Sequence, residues 1–178
     1  MRILITGSNG LLGQKIVKIC LKRGTEFLAT SNGKNRNHGC PDSRYLELDI
    51  TNQNQIQEIF TSYNPTHIIH TAALTNVDYC ELNPEECHEV NVNATRKLWE
   101  EAQKINAHFE LLSTDFIFDG LKGNYKETDE PSAVSIYGQS KVDAENILIQ
   151  SQNDNWSIAR TIIVYGTANN LSRTNIVL

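Results

Sequence analysis

No apolar stretch in the 178 residues is long enough to cross a bilayer. The longest, Ile-Ile-His-Thr-Ala-Ala-Leu around Ile68, falls far short of the roughly 20 residues that a membrane helix needs. Nor is there room for a secretory leader, because Met1-Arg2-Ile3-Leu4-Ile5-Thr6 runs straight into a glycine turn; the expectation is a cytoplasmic protein with no membrane partner. Clustered positive charge is also missing. The net charge is −5 and the basic residues are scattered, which excludes a surface that tracks nucleic acid. The nearest approach to a cluster, Lys34 and Arg36, is too small for a polyanion but sufficient for a single phosphate. The four cysteines (Cys20, Cys40, Cys80, Cys87) show neither C-x-x-C spacing nor a paired-histidine motif. A disulfide or metal framework is therefore not expected, and free thiols are. His67, His70, His88 and His108 likewise lack ligand spacing. There is no internal repeat and no low-complexity linker, and the length suits one domain with a real core.

What is present is alternation. Short apolar runs at residues 3–6, 27–30, 45–48, 67–70, 109–113 and 156–161 read as strands. Between them, residues 11–22, 52–63, 84–106 and 137–150 have helical spacing; the third begins at Pro84, where a missing N–H costs nothing. Strand–helix alternation at this spacing predicts an α/β fold: a Rossmann-like, doubly wound parallel sheet with helices on both faces. The loop-rich stretch 118–134 is expected to lead the chain across the ligand crevice of such a sheet.

Between the first strand and first helix lies Thr6-Gly7-Ser8-Asn9-Gly10-Leu11-Leu12-Gly13. Gly7 permits the tight turn, Gly10 lets backbone approach a pyrophosphate, and Gly13 lets helix and strand pack closely. The helix N-terminus supplies free N–H groups and a positive dipole end. The spacing G-x-x-G-x-x-G is one residue longer at the front than the commoner fingerprint; its position directly after an N-terminal strand is what points to a dinucleotide. NAD-selective sites place an acid at the end of the second strand. Here Thr30-Ser31-Asn32-Gly33-Lys34-Asn35-Arg36 has none, and Ser31, Lys34 and Arg36 suit a 2′-phosphate, so NADP(H) is expected over NAD(H).

Tyr137-Gly138-Gln139-Ser140-Lys141 puts a phenol and an ammonium at i and i+4, on one helical face. A free phenol, with a pKa near ~10, is a poor proton donor at neutral pH, and a neighbouring ammonium would lower it. Ser113-Thr114-Asp115 follows the fifth strand and offers a hydroxyl for a substrate carbonyl. Hydroxyl, tyrosine and lysine in this order, on these elements, are far more specific than any one of them.

Taken together, Thr6 to Gly13, Asp49-Ile50, Ala72-Ala73, Asn91, Ser113 to Gly120 and Tyr137 to Lys141 resemble the extended short-chain dehydrogenase/reductases. The run Ser113-Thr114-Asp115-Phe116-Ile117-Phe118-Asp119-Gly120, with Glu127, Asp129 and Pro131, resembles the dTDP-4-dehydrorhamnose reductase family in particular, as does Thr75 to Glu81. The resemblance implies that Gly7, Asn9, Gly10, Leu11, Leu12 and Gly13 hold the cofactor's phosphates. It places Asp49 and Ile50 at the adenine, and Ala72, Ala73 and Thr75 along the crevice. Asn91 becomes a helix residue bracing the site, and Ser113 a cofactor-side hydroxyl. Thr114, Tyr137 and Lys141 become the catalytic set. The implied reaction is hydride transfer to C4 of a nucleotide-linked 4-keto-6-deoxy sugar, with Tyr137 donating the proton.

Dehydratases of the superfamily follow Thr-Asp with Glu; here Phe116 follows Asp115, which disfavours water elimination. A sugar-nucleotide epimerase and a non-catalytic NADP-binding regulatory subunit stay open as alternatives. Ile163 stands where rhamnose-forming reductases often carry a tryptophan, and Lys15 where some members carry a metal-binding acid, so no metal is expected. Family members continue into a sugar-binding lobe, whereas residues 1–178 read as the nucleotide-binding domain alone. The helices from Pro84 and from Tyr137 resemble those that pair in family dimers, which makes a homodimer an open expectation.

Overall fold

The computed structural model describes residues 1–171. β1 (Arg2–Thr6) leads through the glycine turn into α1 (Leu11–Arg23), which ends on Gly24 in the left-handed region, φ 63°. That glycine's N–H reaches back to the carbonyls of Cys20 and Leu21, which is how helices commonly terminate. β2 (Glu26–Ser31) and β3 (Tyr45–Glu47) follow, then α2 (Gln53–Tyr63). The side chain of Asn52 caps α2 by accepting from the N–H groups of Asn54 and Gln55. After β4 (His67–His70) come α3 (Val77–Leu82), α4 (Pro84–His88), a π turn over Glu89–Asn93 and α5 (Ala94–Lys104). β5 (His108–Thr114) runs into a 3-10 turn, Asp115–Ile117. The chain closes with α6 (Ile136–Ile149), capped by the Ser135 hydroxyl, and β6 (Trp156–Thr161).

All six strands pair in parallel, in the order β3-β2-β1-β4-β5-β6. The chain builds outward from β1 to β3, then returns and builds the other way from β4. The crevice of such a sheet opens at the carboxyl ends of β1 and β4, where the order reverses. On one face, Leu4, Leu28, Ile68, Phe109 and Leu111 pack against α2, α5 and α6, with Trp99 edge-on to Phe109. On the other, Ile3, Ile5, Phe27 and Ala29 pack against Val17 and Cys20 of α1. All four cysteines are buried free thiols, and no helix among the described residues is long and apolar enough to cross a membrane.

The expected helix at residues 84–106 runs from Pro84 to Lys104 with helical backbone angles throughout, and departs from expectation only in the π turn at Glu89–Asn93, where the Asn91 side chain bonds to Leu74 outside its own helix. α3 has no counterpart among the expected elements, and at six residues it is too short to show a period. Loop 118–134 also departs from expectation. None of its residues lines the central cleft; it packs outside, held by the Arg160 guanidinium, which donates to the Glu127 carbonyl and lies over the Phe118 ring.

Candidate active site

Glycine geometry builds the first wall of the cleft. Gly7 sits at φ +71°, and a Cβ there would lie 2.6 Å from the Ala72 amide nitrogen, so no other residue fits without displacing the exit of β4. A Cβ on Gly13 would drive into the Gly7 carbonyl and come within 2.7 Å of Ser8 Cα, so the helix is seated directly on the turn. Asn9 ties this turn to the segment after β2. Its amide N–H donates to Ser31 Oγ (3.0 Å), its Nδ2 to the Lys34 carbonyl (3.0 Å), and its Oδ1 accepts from the Arg36 N–H (2.8 Å).

The opposite end of the site rests on the meeting of two elements. Gly138, in the first turn of α6, has no unusual backbone angle to explain it, and glycine inside a helix costs about 1 kcal/mol against alanine. Its reason is contact: a Cβ there would collide with the Phe116 carbonyl, and Ala133 Cβ would lie 3.2 Å away. The 3-10 turn that follows Thr114 and carries Asp115 and Phe116 thus lies directly on the helix that carries Tyr137 and Lys141. The Phe116 ring meets the Tyr137 ring edge-on at 5.8 Å.

A cleft of about 1180 Å³ joins the two ends. Its walls include Gly7, Asn9, Gly10, Leu11, Leu12, Gly13, Ser31, Arg36, Asp49, Ile50, Ala72, Ala73, Thr75, Ser113, Thr114, Tyr137 and Lys141. Two of the expected residues stand off it. Lys34 is exposed and offers the turn only its backbone carbonyl. Asn91 lies buried behind the wall, where its side chain accepts from the Leu74 N–H (2.7 Å) and donates to the Leu74 carbonyl (3.0 Å) and to Ser140 Oγ (2.9 Å). That is a bracing position, not one in contact with a ligand. Asp49 Oδ1 already accepts from the N–H and hydroxyl of Thr51, which fixes its carboxylate at the cleft. Sequence reading missed Thr51, Val77, Val90 and Gln14. The first three are ordinary residues that folding brings to the wall, while Gln14 bridges Asn9 and Asn169. Gly138 alone carried a readable signal, a glycine placed inside a helix.

Tyr137 and Lys141 are both buried. Burial pushes the Tyr137 phenol above its ordinary value; a hydrogen bond with Thr114 opposes this, while Cys80, Asp115 and Cys87 reinforce it. The net direction is upward, opposite to the lowering that the spacing of Tyr137 and Lys141 suggests. The ammonium is directed instead to the Leu112 carbonyl, 2.8 Å away, and burial, opposed by Glu145 and Cys87, pulls its own pKa down to about 8. At neutral pH the site therefore presents a protonated phenol beside a lysine that is still mostly charged. Thr114 Oγ lies 3.2 Å from Asp115 Oδ1 and accepts from the Phe116 N–H.

The residues present fit a nicotinamide dinucleotide. The cleft runs from a side-chain-free turn at a helix N-terminus to a hydroxyl, phenol and ammonium. Ser113 Oγ, on the same wall, is buried without a hydrogen-bond partner, a state that costs about 1–3 kcal/mol unless a ligand relieves it. Among the described residues no three His, Cys, Asp or Glu side chains converge to hold a metal ion.

Sheet order and cleft together define a Rossmann-type domain of the extended short-chain dehydrogenase/reductase class. More particularly, the chain belongs to the family described as the RmlD substrate binding domain, which matches residues 1–177. It is 38% identical over 150 residues to a dTDP-4-dehydrorhamnose reductase of Aggregatibacter actinomycetemcomitans, covering 83% of this chain and 47% of that protein. It is 27% identical over 177 residues to methionine adenosyltransferase 2 subunit beta of Bos taurus, covering 99% of this chain and 51% of the other. Among solved structures, the dTDP-4-dehydrorhamnose reductase of Bacillus anthracis in complex with NADP superposes with a TM-score of 0.81 at 28% identity, over 96% of this chain and 56% of that one. The UDP-glucose 4-epimerase of Thermus thermophilus in complex with NAD gives 0.82 at 26% identity, over 90% and 54%. The chain thus spans about half the length of the relatives it matches.

Proposed function

We propose that this chain is the cofactor-binding part of an NADPH-dependent reductase that acts on the 4-keto group of a nucleotide-linked 6-deoxy sugar. The observation that carries the reading is that Thr114, Tyr137 and Lys141 share one cleft with the glycine turn. Gly7, Gly10, Gly13 and the N-terminus of α1 hold the pyrophosphate, Asp49 and Ile50 meet the adenine, and Ala72, Ala73 and Thr75 line the path between. Ser31 and Arg36 take the 2′-phosphate, with Lys34 close enough in sequence to add charge. When bound, the nicotinamide supplies the hydride that adds to the carbonyl carbon. Tyr137 gives its proton to the carbonyl oxygen, and the Thr114 hydroxyl donates to the same oxygen as charge develops on it. Lys141 holds the ribose hydroxyls and stabilises the phenolate left behind. One hydride and one proton thus convert ketone to alcohol.

The absence of an acid at residues 30–36 and the position of Arg36 on the cleft support NADP(H) over NAD(H); relatives of this fold hold either cofactor. The test is NADPH consumption on mixing the protein with dTDP-4-dehydrorhamnose. Tyr137→Phe should lose turnover by about 100-fold or more while keeping NADPH affinity. Full turnover by a folded Tyr137→Phe protein would sink the assignment, and equal dissociation constants for NADPH and NADH would sink the cofactor preference.

A second reading rests on the likeness to methionine adenosyltransferase 2 subunit beta over nearly the whole chain. In that reading the protein binds NADP(H) and regulates a partner enzyme. Tight NADPH binding with no turnover of any keto sugar, together with a change in a partner's activity, would favour it. Association of two copies through α5 and α6 belongs to the first reading, and sedimentation at graded concentrations tests it.

A further inference from the structure

A line of buried polar groups runs behind the cleft, from the residue before Gly7 to the backbone of Tyr137. Thr6, His70, Thr95, Asn91 and Ser140 are all buried, and each is hydrogen-bonded to the next. Proton directions follow from one end. The Ser140 hydroxyl donates to the Tyr137 carbonyl (2.7 Å), so its oxygen accepts from Asn91 Nδ2 (2.9 Å). The Thr95 hydroxyl donates to the Asn91 carbonyl (2.7 Å), so it accepts from His70 Nε2–H (3.0 Å). Nδ1 of that tautomer carries no proton and accepts from the Thr6 hydroxyl at 2.7 Å. Every donor points the same way; the bonds from Thr6 to the Asn91 carbonyl form one series and those from the Asn91 side chain to the Tyr137 carbonyl another, joined through the Asn91 residue.

The line links four pieces of the site that are far apart in sequence. Thr6 ends β1 and precedes the glycine turn. His70 ends β4 and leads to Ala72. Asn91 forms the π turn and clamps Leu74, and Ser140 lies between Tyr137 and Lys141 on α6. His70 is the one member whose two hydrogen bonds leave from opposite sides of a rigid ring, so the distance between the cofactor turn and the Asn91 end is set by the imidazole. Being buried and next to Lys141, it stays neutral, its pKa lowered to about 3.

We infer that His70 is a positioning residue whose Nδ1 arm holds Thr6, and with it the glycine turn, in the geometry that binds the cofactor, while its Nε2 arm only anchors the ring to Thr95. The inference rests on the cofactor reading above. Two substitutions separate its arms. In His70→Asn the amide oxygen can replace Nδ1 and keep the Thr6 arm while the Thr95 arm is lost. In His70→Gln the longer amide reaches Thr95 and the Thr6 arm is lost. A residue serving only the core would be damaged similarly by both.

The experiment is a fluorescence titration of NADPH into wild type, His70→Asn and His70→Gln, with thermal unfolding of each. The expected result is a dissociation constant raised about 10-fold in His70→Gln and within about 2-fold of wild type in His70→Asn. Thr6→Val and Thr95→Val, which keep the branched shape and remove one hydroxyl each, should repeat the split should either His70 variant fail to fold. Equal effects on affinity in both members of each pair, or the opposite order, would reduce His70 to a core residue and overturn the inference. If the wild type binds neither NADPH nor NADH, the cofactor reading itself falls and the inference falls with it.

Discussion

The two halves of the sheet are buried differently. In β1 and β2 both faces are covered: Ile3, Leu4 and Ile5 are buried in succession, as are Phe27, Leu28 and Ala29. In β4 and β5 burial alternates. Ile68, His70, Phe109, Leu111 and Ser113 are buried, while His67, Ile69, His108, Glu110 and Leu112 between them are only partly so. Buried parallel strands read as continuous apolar runs, and a period of two marks a face open to solvent. α2, α5 and α6 cover one face of both halves, whereas on the other face α1 is the only described helix that contributes buried residues, and these pack on β1 and β2. The polar groups of the open face satisfy one another instead: His108 bonds Asn155 and Ser157, and Ser157 donates to Glu110. Among the described residues, the cofactor half of the sheet is thus covered on both faces, and the half that ends in Thr114 on one.

The largest effects are expected on the covered face of the half that ends in Thr114. Phe109 is fully buried between Trp99 and His70, with ring centroids 5.8 and 5.7 Å away. Phe109→Ala should cost about 3–5 kcal/mol in urea denaturation. A loss below about 1 kcal/mol would mean that the covered face is not a packed core. Next comes the edge of that face, where the buried Glu145 carboxylate meets Arg160 at 2.7 Å. Arg160→Ala would strand the carboxylate and release loop 118–134. A cost of about 3 kcal/mol is expected, with faster proteolysis in the loop. Glu145→Gln in the same background should restore part of it, since the amide leaves no unpaired charge.

Acid should separate the faces further. His70, on the covered face, has its pKa lowered to about 3 by burial and by Lys141. An unfolded histidine titrates near ~6.5, so between these values the unfolded chain binds the extra proton. Stability from this group is complete above the unfolded pKa and is lost as pH falls towards the folded one. Between pH 6.5 and 4.5 this amounts to about 2 kcal/mol. His67, on the open face, is lowered by lesser burial, with His108 and the N-terminus contributing. The pH dependence of unfolding should therefore flatten in His70→Asn and change much less in His67→Gln. Equal flattening in both would erase the distinction between the faces.

The sequence makes the closed half plain and the contacts across the site obscure. The runs at 67–70 and 156–161 coincide with β4 and β6, and the glycine turn falls where its spacing places it, because period and turn chemistry are local. That Thr114, Tyr137 and Lys141 line one cleft was legible for the same reason, since each belongs to a short motif on one element. The π turn at Asn91 was not, since the side chain that it presents bonds to Leu74 and Ser140, which are 17 and 49 residues away in sequence. The hydrogen-bonding of His70 was equally hidden; as a lone histidine in an apolar run it reads as a core residue, which it is, and nothing local shows its partners. For Lys34, the position after the second strand showed a charge near the cleft but not that its backbone carbonyl accepts from Asn9 while the residue stays exposed off the wall.

The smallest effect is the most direct probe of the open face. Ile68 and Ile69 are neighbours in β4, identical in chemistry, and pair with Phe109 and Glu110 of β5 respectively. Ile68 is fully buried in the larger core; Ile69 only borders the α1 cluster. Truncating a buried isoleucine costs about 2–5 kcal/mol through lost transfer energy and a cavity, whereas at a partly buried position water reaches the space and less cavity remains. Ile68→Ala should fall in that range and Ile69→Ala near ~1 kcal/mol or below, measured by urea denaturation of this chain. Equal costs with concentration-dependent sedimentation of the same samples would show that association of the chain covers Ile69, and equal costs without it would show that the α1 cluster alone buries it.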